Sequence, residues 1–202
     1  MKASIRIIIV FFIGMLCGYN QYIPYTISSS VLTVGVCILL FCSGMTVGFN
    51  KSILLNIRYH GIRILILPLC TVVCVLLANV LLWLCYLDIP LYQALTLASG
   101  FGYYSLSSAL VEELFSAELG GLILLVNMIL EICALLIAPL FAWLAGPLAP
   151  IAVAGVSAMD ICLPVIMRTS GKEYFIYAIA HGISMELLSP LCIYLFYFLS
   201  QM

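Results

Sequence analysis

The stretch LASGFGYYSLSSALVEELF, residues 97–115, is apolar enough to enter a membrane but is rich in residues that interrupt a helix. Two glycines, four serines and two tyrosines fall within residues 99–108. Glycine weakens a helix locally, and serine offers its hydroxyl to the nearby backbone. Irregular backbone at membrane depth is tolerated only where it is buried in protein or lines a wet cavity. We therefore expect residues 97–110 to form a broken membrane helix; a helix kinked for tight packing of small residues is the alternative.

The whole chain has the composition of a membrane protein. Of its 202 residues, 66% are hydrophobic and only 7% are charged, and the mean hydropathy is +1.29. About a quarter of the residues of a soluble domain are charged, a nucleic-acid-binding protein needs a basic stripe, and a membrane β-barrel alternates polar and apolar positions. None of these patterns occurs in the sequence. We predict an all-α polytopic membrane protein in which residues 1–202 form a single integral membrane domain.

The sequence offers no sign of a metal site or an enzyme. The nine cysteines lie in or beside apolar runs, without a CxxC pair or the ligand spacing of a zinc site, and we interpret them as packing residues. Gly-x-Ser stretches at Gly155 and Gly182 begin the nucleophile elbow of a hydrolase, but neither has the closing glycine. We therefore expect no metal ion, no cofactor and no enzymatic activity.

A helix needs about 20 apolar residues to cross a membrane, and the chain offers seven candidates. They are residues 5–22, 31–49, 62–87, 91–115, 119–144, 147–167 and 174–199. With the N-terminus in the cytoplasm, every basic residue falls on the cytoplasmic side, as the positive-inside rule requires. These residues are Lys2, Arg6, Lys51, Arg58, Arg63, Arg168 and Lys172. The same arrangement makes residues 91–115 a full crossing and places the C-terminus outside.

Three acidic residues lie deep in the predicted crossings: Glu131, Asp160 and Glu186. Glu113 lies near the cytoplasmic edge, and no Lys or Arg lies beside the three acids. Together, three carboxylates at this depth cost roughly 8–10 kcal/mol on the gentler insertion scale. Either protonation or a cationic ligand must offset this cost. The pattern is typical of a cation-binding or proton-coupled transporter.

Two of these acids stand four residues before a proline. Pro164 has no N–H, so in a continuous helix the carbonyl of Asp160 would lack its donor, and Pro190 stands in the same relation to Glu186. A carboxylate and a freed carbonyl would then meet where a cation can bind. Proline kinks are also common in membrane helices, so a purely structural role is the alternative. We expect one or two proline-kinked segments.

Other candidate binding groups lie in and around the broken segment. A half-helix starting near Ser105 would present free N–H groups and the positive end of its dipole, which suit a carboxylate. Asn127 and Glu131 are four residues apart and therefore share a helical face. His181 could relay protons, since an imidazole gains and loses a proton near neutral pH. A buried histidine bonded to a backbone carbonyl is the alternative.

Four stretches of the sequence together resemble the lysine-exporter family of LysO type. They are ALTLASGFGYYSLSSALVEE (94–113), NMILE (127–131), GVSAMDICLPVIMRTSG (155–171) and AIAHGISMELLSP (178–190). The resemblance runs from about residue 31 to the C-terminus. It implies a secondary transporter that exports L-lysine and its toxic analogues across the bacterial inner membrane. Carried over residue by residue, it implies binding roles for Ser99, Gly100, Gly102, Tyr104, Ser105, Glu113, Asn127, Glu131, Asp160, Pro164, Arg168 and His181.

The chain departs from the family pattern in three ways. Family members have a further acid and a base in the stretch that reads NMILE here, and a small or polar residue where this chain has Glu186. Single-chain members also have a longer N-terminal part with an acidic residue of its own. The resemblance therefore implies a split transporter, in which a small partner membrane protein supplies the missing half, a homo-oligomer, or both.

Export of a cation needs a source of energy. Moving one positive charge outward against an inside-negative potential costs about 2.3 kcal/mol per 100 mV, so a simple pore would import lysine. Inward protons are the natural counter-ion, and we expect antiport of L-lysine and protons by a protein surrounded by membrane lipid. The alternative is an accessory or assembly subunit that packs against a transporter and binds no substrate.

Overall fold

Helix is the only regular secondary structure in residues 63–86 and 88–201, which the computed structural model describes together with the helical positions Leu16, Val34, Ile38, Phe41 and Met45. The chain divides into two compact units, Met1–Val34 and Gly35–Met202, and residues 63–201 belong to the second unit. The predicted crossings 5–22 and 31–49 lie outside the continuously described residues. The all-α prediction is confirmed for the described part of the chain.

Seven α-helices and two short 3₁₀ helices make up the described part of the second unit from residue 63 onward. In chain order they are α1 (Arg63–Tyr86), α2 (Leu91–Ala98), α3 (Tyr104–Leu114), α4 (Ala117–Ala145), α5 (Ala149–Ala154), the 3₁₀ helix η1 (Gly155–Met159), α6 (Leu163–Thr169), the 3₁₀ helix η2 (Lys172–Tyr174) and α7 (Phe175–Ser200).

Three of these elements are long and apolar enough to cross a membrane. The candidate spans are Ile64–Cys85 with 22 residues, Ala117–Ala145 with 29 and Lys172–Ser200 with 29, against the roughly 20 that a crossing needs. Their outer faces expose large apolar side chains, such as Leu136 at 75% and Trp143 at 79%. Such faces are unfavourable in water but match hydrocarbon. The protein is therefore a multi-pass membrane protein.

Residues 91–115, which we name hairpin 1, enter the membrane and return to the same side. The ring centroids of Tyr92, near the start of α2, and Phe115, directly after α3, are only 6.1 Å apart. The ends of a full crossing would be roughly 30 Å apart. Phe115 also contacts Tyr197, near the end of α7, at 5.4 Å between ring centroids. This contact places both ends of hairpin 1 on the side where α7 ends.

Residues 149–169, which we name hairpin 2, enter from the opposite side. Ile151 of α5 and Ile166 of α6 are fully buried in one cluster with Ala134 of α4 and Ala178 of α7. Both arms therefore pack in the same half of the unit, beside the end of α4 and the beginning of α7. The two hairpins thus approach each other from opposite sides of the membrane.

The predicted full crossings 91–115 and 147–167 are therefore wrong. Length and hydropathy do not encode direction, and an apolar segment with a break at its centre can reverse as well as continue. The positive-inside rule does not exclude two reversals. Replacing two crossings with two reversals leaves the segments after hairpin 2 on the same side of the membrane. Arg168 and Lys172 consequently remain on the side where α1 begins, together with Arg63. Glu113 lies on the other side, not at the cationic edge that the sequence predicted.

Within the second unit, the described helices form two similar repeats in inverted orientation. The first is α1 followed by hairpin 1, the second is α4 followed by hairpin 2, and α7 completes the bundle. In secondary transporters, inverted repeats with discontinuous helices place their binding sites near the bilayer midplane, at the interface between the repeats. The tips of the two hairpins are the corresponding place in this chain.

Labelling of introduced cysteines tests the reversal of hairpin 1. In a background without the native cysteines, Asp88→Cys and Ser116→Cys are expected to react with a membrane-impermeant maleimide from the same side of intact cells. Leu148→Cys and Ser170→Cys, which flank hairpin 2, are expected to react only after the membrane is permeabilised. Labelling of Asp88→Cys and Ser116→Cys from opposite sides would show that residues 91–115 cross the membrane.

Candidate functional site

The tips of the two hairpins bond directly to each other. The backbone N–H of Val156 donates to the carbonyl oxygen of Phe101 at 2.9 Å. Gly155 has φ +58°, and a Cβ at this position would overlap the same carbonyl oxygen. Gly102 has φ +85°, a conformation that glycine adopts without strain. Glycine at these two positions therefore permits both the reversal of the chain and the close approach of the tips.

Asn127 of α4 holds the tip of hairpin 1 in place. Its Oδ1 accepts from the N–H of Gly102 at 2.7 Å, and its Nδ2 donates to the carbonyl of Ile123 at 2.7 Å. A Cβ at Gly100 would overlap the Asn127 amide, so the tip lies directly on this side chain. Asn127 is only 2% exposed, and it bonds backbone at a depth where water is scarce.

A cavity of about 130 Å³ lies beside the joined tips. It is lined by residues of hairpin 1, of hairpin 2, and of α4 and α7: Gly102, Tyr103, Tyr104, Ser105, Val156, Ser157, Met159, Asp160, Ile161, Glu131 and Glu186. The three acids that the sequence places in the membrane therefore face one cavity. Within the described lining there is no Lys, Arg or His to balance them.

The three carboxylates have different surroundings. Glu131 is 8% exposed, and its buried Oε1 has no hydrogen-bond partner among the described residues. Asp160 is exposed at the tip of hairpin 2 and accepts from the backbone N–H of Ile161. Glu186 is 6% exposed, and its Oε2 has no hydrogen-bond partner among the described residues. All three are poorly compensated, which suits a site that receives a cation.

The N-terminus of α3 completes the cavity with the opposite polarity. The helix begins at Tyr104, the side chain of its N-cap residue Tyr103 does not cap the helix, and Gly102 to Ser105 line the cavity. The first N–H groups of a helix have no intrahelical acceptor, and its dipole makes this end positive. The predicted half-helix near Ser105 is confirmed as an element. Its free end can bind an anionic group beside three carboxylates that can bind cationic ones.

Comparison of the sequence with known proteins identifies the family. A family model described as Lysine exporter LysO matches residues 8–197. The chain belongs to the lysine exporter LysO family. The resemblance found in the sequence is thereby confirmed, and the chain is a member of a family of transporters.

This LysO-family protein is similar to two proteins named as lysine exporters. Lysine exporter LysO of Escherichia coli (strain K12) is 36% identical over 110 residues, which make up 54% of this chain and 36% of that protein. A putative lysine exporter of Haemophilus influenzae is 34% identical over 111 residues, 55% of this chain and 56% of that relative. The matched region covers nearly the same share of this chain and of the second relative, so the two proteins are about equally long. No solved structure matches significantly.

Several residues that the resemblance implied do not line the acidic cavity. Ser99 is fully buried, and its hydroxyl donates to the carbonyl of Leu95 within α2 at 2.7 Å. Glu113 lies near the end of α3, away from the tips. His181 is fully buried in α7, and neither ring nitrogen has a hydrogen-bond partner in the described part of the chain. Asn127 and Gly100 position the tip and do not line the cavity.

The interpretation of Pro164 is wrong. Asp160 does not belong to a continuous helix; it follows the 3₁₀ helix η1, and its carbonyl accepts from the N–H of Leu163 at 3.3 Å. Pro164 lies in the first turn of α6, where its missing N–H would have no intrahelical acceptor in any case. Pro190, by contrast, lies inside α7, as the sequence predicted.

Ser157 and Glu186 are two of the cavity residues that the sequence did not assign. Ser157 precedes Asp160 by three residues, but the 3₁₀ turn that aims both into the cavity has no clear sequence signal. Glu186 was visible as a membrane acid, yet its departure from the family pattern left its role open. Only the packing of α7 against the tips brings it to the same cavity as Glu131 and Asp160.

Two glycine substitutions test the importance of the tip contact. Gly155→Ala forces a Cβ into the Phe101 carbonyl at a positive φ and is expected to destabilise the protein by about 2–5 kcal/mol. Gly121→Ala in α4 meets no atom within 4 Å and is expected to be neutral or slightly stabilising. Thermal unfolding of both variants in detergent measures the difference. Equal unfolding temperatures would contradict the tip contact.

Proposed function

We propose that this protein is a secondary transporter that exports L-lysine and lysine analogues across the bacterial inner membrane in exchange for protons. The observation that carries this proposal is the cavity in which three carboxylates face the uncapped N-terminus of α3. Membership of the lysine exporter LysO family supports lysine as the substrate. The names of the two relatives point to the same amino acid.

Lysine has the charges that this cavity can balance. Its α-carboxylate fits the free N–H groups of α3, where a helix N-terminus favours an anion. Its ammonium charge fits Glu131 and Asp160, which line the same cavity. An amino acid with a neutral side chain has only one ammonium group and would leave part of the acidic charge of the cavity uncompensated. The site therefore favours a diamino acid over a neutral one.

Proton exchange is part of the proposal because the described lining contains no Lys, Arg or His that could pair with the acids. When lysine leaves, Glu131 and Asp160 lose their counter-charge at a depth where an unpaired carboxylate is costly. A proton can replace the ammonium group and restore neutrality. Protons that enter this way and leave into the cytoplasm would drive lysine outward against the membrane potential. Glu131 and Asp160 thus bind the lysine ammonium group and protons alternately.

A small partner membrane protein is part of the proposal. Asp160 and Ile161 are both exposed at the tip of hairpin 2. A carboxylate that faces hydrocarbon at this depth is unfavourable. A membrane segment of a second chain would cover this tip and close the cavity toward lipid.

Competition by cadaverine tests the role of α3. Cadaverine keeps both amino groups of lysine but lacks the carboxylate, so it cannot use the N–H groups of Tyr104 and Ser105. It is expected to inhibit transport of labelled lysine at least about tenfold more weakly than unlabelled lysine, the effect of one lost charged hydrogen bond. Inhibition by cadaverine equal to that by lysine would remove the α3 N-terminus from the mechanism.

Asp160→Asn tests the carboxylate at the tip of hairpin 2. The variant keeps the shape and a hydrogen-bonding group but loses the charge and the titration, so normal insertion and at least about tenfold slower lysine efflux driven by a pH gradient are expected. Glu118→Gln, in the exposed first turn of α4, is the matched control and is expected to transport at the wild-type rate. An accessory subunit without a substrate site predicts no loss in either variant. Wild-type efflux by Asp160→Asn would therefore refute the proposed site.

A further inference from the structure

Glu186 is the carboxylate of the cavity for which the proposed transport cycle has no role so far. It lies on α7, is 6% exposed, and has a buried Oε2 without a partner among the described residues. Pro190, four residues later in the same helix, also removes the N–H that would bond the carbonyl of Glu186. An ionised carboxylate buried in this way is unfavourable unless it takes up a proton or a cation accompanies it.

Glu186 and Glu131 lie on opposite sides of the level at which the tips meet. On α4, Asn127 bonds the tip of hairpin 1, and Glu131 follows four residues later. On α7, a Cβ at Gly182 would contact η1 at the tip of hairpin 2, and Glu186 follows four residues later. Because α4 and α7 run in opposite directions, the two Cα atoms are about 12 Å apart along the helix axes, at 1.5 Å per residue. The cavity therefore has two acidic ends.

Glu131 and Asp160 together form the first acidic end. Both line the cavity together with Tyr104, the first residue of α3. The N-terminus of α3 is the proposed position of the substrate carboxylate. The α-ammonium is attached to the carbon atom next to that carboxylate, so it falls to Glu131 and Asp160. The side chain of lysine then extends toward the second end, where Glu186 lies.

We propose that Glu186 binds the ε-ammonium group of the substrate and thereby makes the cavity specific for diamino acids. This inference rests on the proposed export of lysine and adds the residue that distinguishes lysine from an amino acid with a neutral side chain of the same length. Each acidic end then receives one ammonium group. The substrate lies across the level of the joined tips.

Two lysine analogues separate the two ends experimentally. 6-Hydroxynorleucine replaces the ε-ammonium with a hydroxyl, and 6-aminohexanoate lacks the α-ammonium but keeps the ε-ammonium. Binding of labelled lysine to the purified full-length chain, with its partner where one is required, is measured with each analogue as competitor. Glu186→Gln is expected to weaken lysine and 6-aminohexanoate about ten- to hundredfold and to leave 6-hydroxynorleucine unchanged.

The control and the contrary outcomes are distinct. Glu118→Gln is expected to bind all three compounds as the wild type does. An equal loss for all three in Glu186→Gln, or no loss for any, overturns the assignment of Glu186. If Glu186→Gln binds no compound at all, Glu186→Asp decides, since it keeps the charge and must still prefer lysine to 6-hydroxynorleucine. Failure of the wild type to bind lysine would instead refute the proposed function.

Discussion

A chain that reverses inside a membrane leaves backbone groups at its tip that hydrocarbon cannot satisfy, and each unsatisfied group is costly. In this protein the tips of two opposed hairpins satisfy each other. Val156 donates to Phe101, and Asn127 accepts from Gly102. These bonds require the tips to meet at one level, and the rest of the arrangement follows from that requirement. The long helices α1, α4 and α7 pack against the two hairpins.

The meeting of the tips also creates the polarity of the site. Hairpin 1 reverses just before α3, so the positive end of α3 is left at the reversal and opens into the cavity. Hairpin 2 reverses just after η1, so Asp160 lies at its tip. A helix end and a carboxylate with opposite charges are thus brought together by the same reversals that the backbone bonds permit. Irregular backbone and binding groups coincide because both need the same water-accessible place.

The sequence predicted the local features of this site well, but it did not predict that the chain reverses within the membrane. The break at residues 99–103 and the start of α3 followed from glycine and serine, whose effect on a helix is local. The reversal of hairpin 1 did not follow, because neither hydropathy nor the positions of Arg168 and Lys172 distinguish two crossings from two reversals. The role of Pro164 was misread for the same reason, since a continuous helix was assumed around Asp160. Glu186 could not be assigned, because the orientation of α7 depends on tertiary packing.

The convergence of three acids on one cavity argues against a packing role for them. A polar group that only bonds neighbouring helices need not be charged, as Asn127 demonstrates with two hydrogen bonds of 2.7 Å. Dispersed carboxylates would also avoid mutual repulsion, which is strong where the dielectric constant is low. Glu131, Asp160 and Glu186 instead come from three separate elements to the same space, where the described lining provides no basic side chain. Stability alone would select against this arrangement, whereas the proposed transport of a cation that enters the cavity and leaves again accounts for it.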